Sequence, residues 1–459
     1  MKSFYNFTLS FLFIFLITSC GSDDNSGGTT DDTPEPMFVG EIDWVKSFGG
    51  STEDNAISIV QANDGDYVIL GVTNSTDGDL SNRTGTDDDF WVLKISQSGN
   101  KLWSKNYGGT SDDRATSIVK TNDGGYAISG YSKSNDGDVS GNGGFWDYWL
   151  LKIDSEGNKQ WDKNFGFLGD DKSYKVIQTN DGGYFMTGYL DLANSDGQGD
   201  DIIDEEDEST RNSLHGLGEY WAIKTDANGD KLWRKYFGGT NNDRSYDVMQ
   251  TDDNGYLMVG AAESLDFDIS DPRGSYDYWA LKISESGIKQ WEKSFGGSEI
   301  DNGFSIAKSD DGNYIFVGNT RSNDVDVSTL IGNADMWVVK FSSENGAIIW
   351  EKTYGGSQFD TALNINNLAN GNFVITGHTR SNDGDVTNAL GLNDAWVLVI
   401  DDNGTILFEK SIGGSNLDFG NHGIETTNKE LLIVGNTEST DIDLTQNFGS
   451  KDLLVIKIK

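Results

Sequence analysis

The segment Lys101-Leu-Trp-Ser-Lys-Asn-Tyr-Gly-Gly109 limits the possible folds more than any other feature of the chain. Six variants of it carry Trp44, Trp161, Trp233, Trp291, Trp350 and Phe408 at the tryptophan position, so there are seven copies. Their first glycines, from Gly49 to Gly413, lie 59, 58, 72, 58, 59 and 58 residues apart. A fixed period of this size means one supersecondary unit stacked into an array.

The second repeat shows what the unit is. Ala115–Lys120 is a β-branched run, Asn122-Asp-Gly-Gly125 a hairpin turn, and Tyr126–Gly130 a second run. A polar stretch from Ser132 to Gly144 leads to Asp147–Ile153. Ser155–Asn158 then turns the chain into Lys159–Phe165. These are four antiparallel strands with alternating or continuous apolar content, and no helical period is sustained. Seven such units predict an all-β fold, a seven-bladed β-propeller. Two β-sandwiches are the alternative, and the constant period argues against them. The array starts on a fourth strand and ends on a third. Asp43–Phe48 is therefore expected to pair beside Leu453–Ile458 and close the ring, hiding both edges.

The chain has 459 residues and a net charge near −40. That charge repels nucleic acid and anionic lipid. Its 13 Trp, 17 Tyr and 23 Phe stand at periodic positions, which excludes disorder beyond about residue 40. Residues 1–19 read as a signal peptide, with Lys2 ahead of the apolar Phe11–Ile17. Ile17-Thr-Ser-Cys20 resembles the lipobox of bacterial lipoproteins, which implies cleavage before Cys20 and lipid, palmitate included, on that residue. Cys20 is the only cysteine, so no disulfide forms within the chain. Residues 20–40 read as a flexible acidic tether, and residues 41–459 as the propeller. Ser22-Asp23-Asp24 resembles the acidic export signals of surface lipoproteins. Together these imply an outer-membrane lipoprotein, surface-exposed and a monomeric ring.

The Gly-turn and Trp strand of each repeat, as in Lys224-Thr-Asp-Ala-Asn-Gly-Asp-Lys-Leu-Trp233, resemble the tryptophan-docking repeat of quinoprotein-type propellers. The whole unit is similar to repeats of bacterial secreted propeller lipoproteins. The resemblance covers residues 42–459 and implies a fold. No cofactor-lining set accompanies it, so no cofactor site is implied.

Three acidic positions recur in register. One follows the first glycine by five, from Asp54 to Asp418; the second is a Ser-x-Asp-x-Asp element such as Ser75/Asp77/Asp79. The third precedes the third-strand aromatic by two, as Asp89, Asp147, Glu219 and their equivalents. The strand meander sends all three to one face, which is expected to be the binding face. Such acids either cap loop N–H groups or hold calcium; repetition in every blade favours capping. Repeat three breaks the pattern with about 14 extra residues between its second and third strands. There Asn194, Asp196, Gln198, Asp200 and Glu205 resemble an EF-hand or thrombospondin-type calcium loop, without flanking helices.

Catalysis has little sequence support. The histidines are His215, His378 and His422 only. No zinc triad, nucleophile triad or phosphate loop is present. The expected role is a binding or scaffold module for a protein or glycan partner. The alternative is a glycan-active hydrolase or lyase using a carboxylate pair on the acid face, and a third reading is a structural spacer.

Overall fold

The structure is a computed structural model; it describes residues 40–81, 83–195, 198–201, 215–216 and 218–459. Cys20 and the rest of residues 1–39 lie outside the described residues. The chain forms seven four-stranded antiparallel sheets. In blade one the strands are Asp54–Gln61, Tyr67–Thr73, Asp89–Ile95 and Lys101–Tyr107, from innermost to outermost. The second and third strands are buried along their whole length because other blades cover both faces. This is why they read as continuous apolar runs rather than alternating ones.

Ring closure follows the sequence expectation. Ile42–Phe48 is the outer strand of blade seven and pairs antiparallel with Asp452–Ile458, from Ile42 opposite Ile458 to Phe48 opposite Leu453. Neighbouring blades are joined by packing and by single parallel bridges such as Trp146–Asp170, not by a shared ladder. The joint between blades seven and one has the same construction, with Leu432, Val434, Leu453 and Val455 packing on Ile69, Trp91 and Leu93. On the turn face, Asn122 N–H donates to Gln178 and Asn180 N–H to Gln250, both at 2.8 Å. Thr427 N–H donates to Gln61 at 2.9 Å in the same way, across the closing joint.

The tryptophans divide into two sets. Trp91, Trp149, Trp221, Trp279, Trp337 and Trp396 on third strands are fully buried, with Leu454 as the equivalent in blade seven. Their indole N–H groups donate outward, as from Trp279 to Glu292 at 2.9 Å and Trp396 to Glu409 at 2.8 Å. The outer-strand tryptophans instead lie on the turn glycine of the next blade. A Cβ on Gly157 (φ +76°) would sit 3.0 Å from the Trp103 ring. Gly40 (φ +73°) plays the same part against Phe408, so the repeat begins at Gly40. Glu41 and Lys459 exchange backbone hydrogen bonds of 3.2 and 2.9 Å, which places both ends of the ring on the turn face.

Each innermost strand carries one register slip, for example between Ala56 and Ser58 and between Ser173 and Lys175. The extra residues are Ile57, Thr116, Tyr174, Tyr246, Phe304, Leu363 and Asn421. A bulge frees one side chain from the ladder and re-aims it, and here all seven turn toward the ring axis.

Candidate functional site

The repeated acids serve the loops. Asp113 accepts Gly109 N–H and Ser134 Oγ–H at 2.8 Å each, and also Ser132 Oγ–H. Asp54, Asp301, Asp360 and Asp418 repeat this set of partners. In the third set, Asp277 accepts Arg273 N–H at 2.6 Å and Asp394 accepts Leu390 N–H at 2.7 Å. No member of the first or third set is more than 5% exposed. These two sets form an internal belt, while the second-set Asp77, Asp136, Asp324, Asp383 and Asp441 stay exposed, so the open acid rim expected from the meander is only part of the three sets. That burial removes the belt carboxyls as a solvent-facing pair for glycan cleavage.

In six of the seven repeats the first glycine separates a third-set carboxyl from the first-set carboxyl of the next blade, and Gly166 lies against Asp147. A Cβ on Gly49 would lie 2.6 Å from Asp452 Oδ1 and 2.7 Å from Asp54 Oδ2. Burial raises the carboxyls of Asp89, Asp147, Asp277, Asp335 and Asp452 to about 6 and that of Asp171 to about 7. Neighbouring carboxylates add to this; Asp54 acts on Asp452 and Asp113 on Asp89.

Of the five residues named for calcium, Asp196 and Glu205 lie outside the described residues. Asn194 ends a short 3-10 turn and donates its amide to Asp191 at 2.8 Å. Gln198 N–H donates to Ser195 O at 3.0 Å. Asp201 pairs with Lys231 at 2.6 Å, and Gly199 O accepts the Trp221 indole N–H at 2.9 Å. Among the described residues no three His, Cys, Asp or Glu side chains are placed to hold a metal.

The blades differ from one another in the central channel. The bulges line a cavity of about 120 Å³ to which every blade contributes two residues. Successive blades contribute Ser58, Ser117, Lys175, Asp247, Ser305, Asn364 and His422 at one register position. Lys175 pairs with Asp247 at 2.9 Å, and Asp247 accepts Ser305 Oγ–H at 2.8 Å. Asn364 Nδ2–H donates to Ser305 at 3.3 Å, and Asn366 Nδ2–H to Asn364 at 2.9 Å. His422 Nδ1 accepts Ile59 N–H at 3.0 Å, and its Nε2 lies 3.0 Å from the Asn366 amide nitrogen. Burial, then the Lys175 charge, pushes the imidazole down to about 3, so it stays neutral at physiological pH.

Above the cavity the asymmetry becomes one of charge. The residue after the first-set aspartate is Arg114, Lys172 and Arg244 in blades two to four, but Asn55, Asn302, Thr361 and Phe419 in the others. These three cations sit among rings. Lys172 Nζ is 5.5 Å from the centre of Tyr131 and 5.7 Å from that of Tyr189, and the Arg244 guanidinium is 5.3 Å from Tyr189. Tyr174 lies 5.1 Å from Tyr246, which lies 5.4 Å from Phe304, so an aromatic arc leads down into the channel. Arg114 pairs with Asp88 at 2.7 Å and Lys172 with Asp170 at 3.2 Å. Arg244 has no carboxylate within 4 Å among the described residues, and its Nε is buried without a hydrogen-bond partner.

These residues are not legible from what recurs along the chain. The signal was the opposite one: the sixth, eighth and ninth positions after the first glycine are where the seven copies disagree in chemistry.

No family model matches the sequence, and no curated protein matches it. Among solved structures, the Pan2 WD40 domain of Neurospora crassa superposes with a TM-score of 0.48 at 9% identity, covering 91% of this chain and 94% of that one. BamB from Moraxella catarrhalis gives 0.39 at 11%, covering 92% and 100%. A protein of unknown function from Bacteroides caccae gives 0.41 at 11%, covering 70% and 90%. At these scores the likenesses carry no inference about ligand or activity.

Proposed function

We propose that the chain is a binding module that takes its ligand at the channel mouth over blades two to four. One observation carries this reading: the residues that build the blades repeat, whereas those lining the channel and its mouth differ from blade to blade. A structural need recurs in every blade, while a ligand, which lacks sevenfold symmetry, requires different groups at equivalent positions. Convergent polar groups beside an aromatic arc in a concave site are the usual make-up of a binding pocket. The test is capture of envelope polysaccharide and protein by the full chain and by a Tyr174→Ala/Tyr246→Ala variant. Binding is expected to fall at least about tenfold, since a buried aromatic anchor is worth about 2 kcal/mol or more, with the melting temperature little changed. Capture equal to that of the parent chain would refute the site.

The same proposal places the module in the cell envelope, held by lipid on Cys20, with a protein or glycan as partner. Incorporation of labelled palmitate should be lost in Cys20→Ser. We also propose calcium at Asn194, Asp196, Gln198, Asp200 and Glu205, supported by the alternation of oxygen-bearing side chains. Chelation should then lower the melting temperature by several degrees, and Asp196→Asn/Asp200→Asn should remove the effect. A melting curve indifferent to chelator rules calcium out.

A further inference from the structure

Arg114, Lys172 and Arg244 stand out against the charge of the whole molecule. A chain near −40 has every electrostatic reason to dilute a cationic patch, yet the three adjoining blades carry their cations at one register position. Lys133 joins them, 4.2 Å from the Trp146 ring centre and 3.2 Å from Asp112. Four tyrosines, Tyr131, Tyr174, Tyr189 and Tyr246, stand close enough to Arg244 or to one another to alter each other's ionisation. The mouth thus gathers phenol O–H donors around a guanidinium that lacks a carboxylate partner among the described residues.

Resting on the reading of the mouth as the binding site, we infer that the ligand is a saccharide bearing one carboxylate on its terminal sugar. A guanidinium matches a carboxylate with two parallel N–H donors. The aromatic arc offers flat faces to a sugar ring, and Ser58, Ser305 and Asn364 below it offer neutral partners for hydroxyls. A cavity of about 120 Å³ excludes a folded domain and can take only a terminal group of a ligand that sits mainly at the mouth. The overall charge excludes densely charged polymers, because the surrounding field repels every further anionic group. A lone terminal carboxylate meets Arg244 at short range, where that field matters least; Arg114, Lys172 and Lys133 are already paired with Asp88, Asp170 and Asp112.

Calorimetric titration of the full chain tests this. The probes are a uronate-terminated disaccharide, the same sugar with its carboxylate reduced to the alcohol, and an acidic peptide. The uronate is expected to bind at least tenfold more tightly than the alcohol. Arg244→Gln should lose at least tenfold for the uronate and nothing for the alcohol, and Arg244→Lys should recover part of it. Lys172→Gln provides the same comparison should Arg244→Gln melt early. Equal affinity for acid and alcohol, or no uronate binding, overturns the ligand class; tighter binding of the peptide overturns it in favour of a protein partner. If the tyrosine variant still loses envelope capture in those cases, the mouth remains the binding site. If that variant captures normally as well, both readings fail.

Discussion

Deleting residues 40–48 is expected to destabilise the ring by more than about 5 kcal/mol, since truncating one buried Phe alone typically costs 3–5 kcal/mol. Phe48 is buried against blade one, and Val45 packs with Leu454 and Ile456 of the strand it covers. Without the latch, the fully buried Asp452–Ile458 strand becomes an open apolar edge, which is prone to pairing with other chains. Calorimetry should show an earlier, broader transition and scattering should show association. A synthetic peptide spanning residues 40–48 should restore part of the loss. An unchanged melting temperature would sink the latch.

The second large effect is on pH. The belt carboxyls titrate higher in the fold than in the unfolded chain, at about 6 for Asp89, Asp147, Asp277, Asp335 and Asp452 and about 7 for Asp171. A group raised in this way holds its proton more firmly when folded. Its contribution is full below the unfolded value near 4 and is lost as pH rises through 6 to 7. Asp123, Asp181 and Asp253 behave oppositely. Burial works against them, but hydrogen bonds from Lys152, Lys224, Lys282 and nearby threonines outweigh it and hold them at about 2. Their contribution is present above about 4 and is lost as pH falls toward 2. The melting temperature should therefore rise on going from pH 8 to pH 5 and fall again below pH 4. A flat profile between pH 5 and 8 would show that the belt is not ionising against burial.

The sequence announced the fold because a propeller repeats its structural requirements. Gly49 and five of its equivalents recur because a Cβ would strike two carboxyls, and the buried third-strand tryptophans recur because each fills the same gap between blades. The latch was legible from where the first and last repeats break off. The site was not, for a physical reason. Ser58, Lys175, Asp247 and His422 meet across the channel although they stand at least 72 residues apart in the chain. Only closure of the ring makes neighbours of His422 and Ser58. The acids misled in the other direction: spacing showed that they share a face, but it did not show that Gly-Gly loops fold over them.

Both ends of the ring leave from the turn face, where Glu41 and Lys459 are hydrogen-bonded to each other. Arg114 and Arg244 are the second residues of their inner strands and Lys172 is the first of its own, so all three belong to the opposite face. Anything attached at Gly40 or at Lys459 is therefore joined to the turn face, and the mouth lies on the face away from the attachment. An immobilised preparation linked through either terminus should present its channel to solution without further engineering.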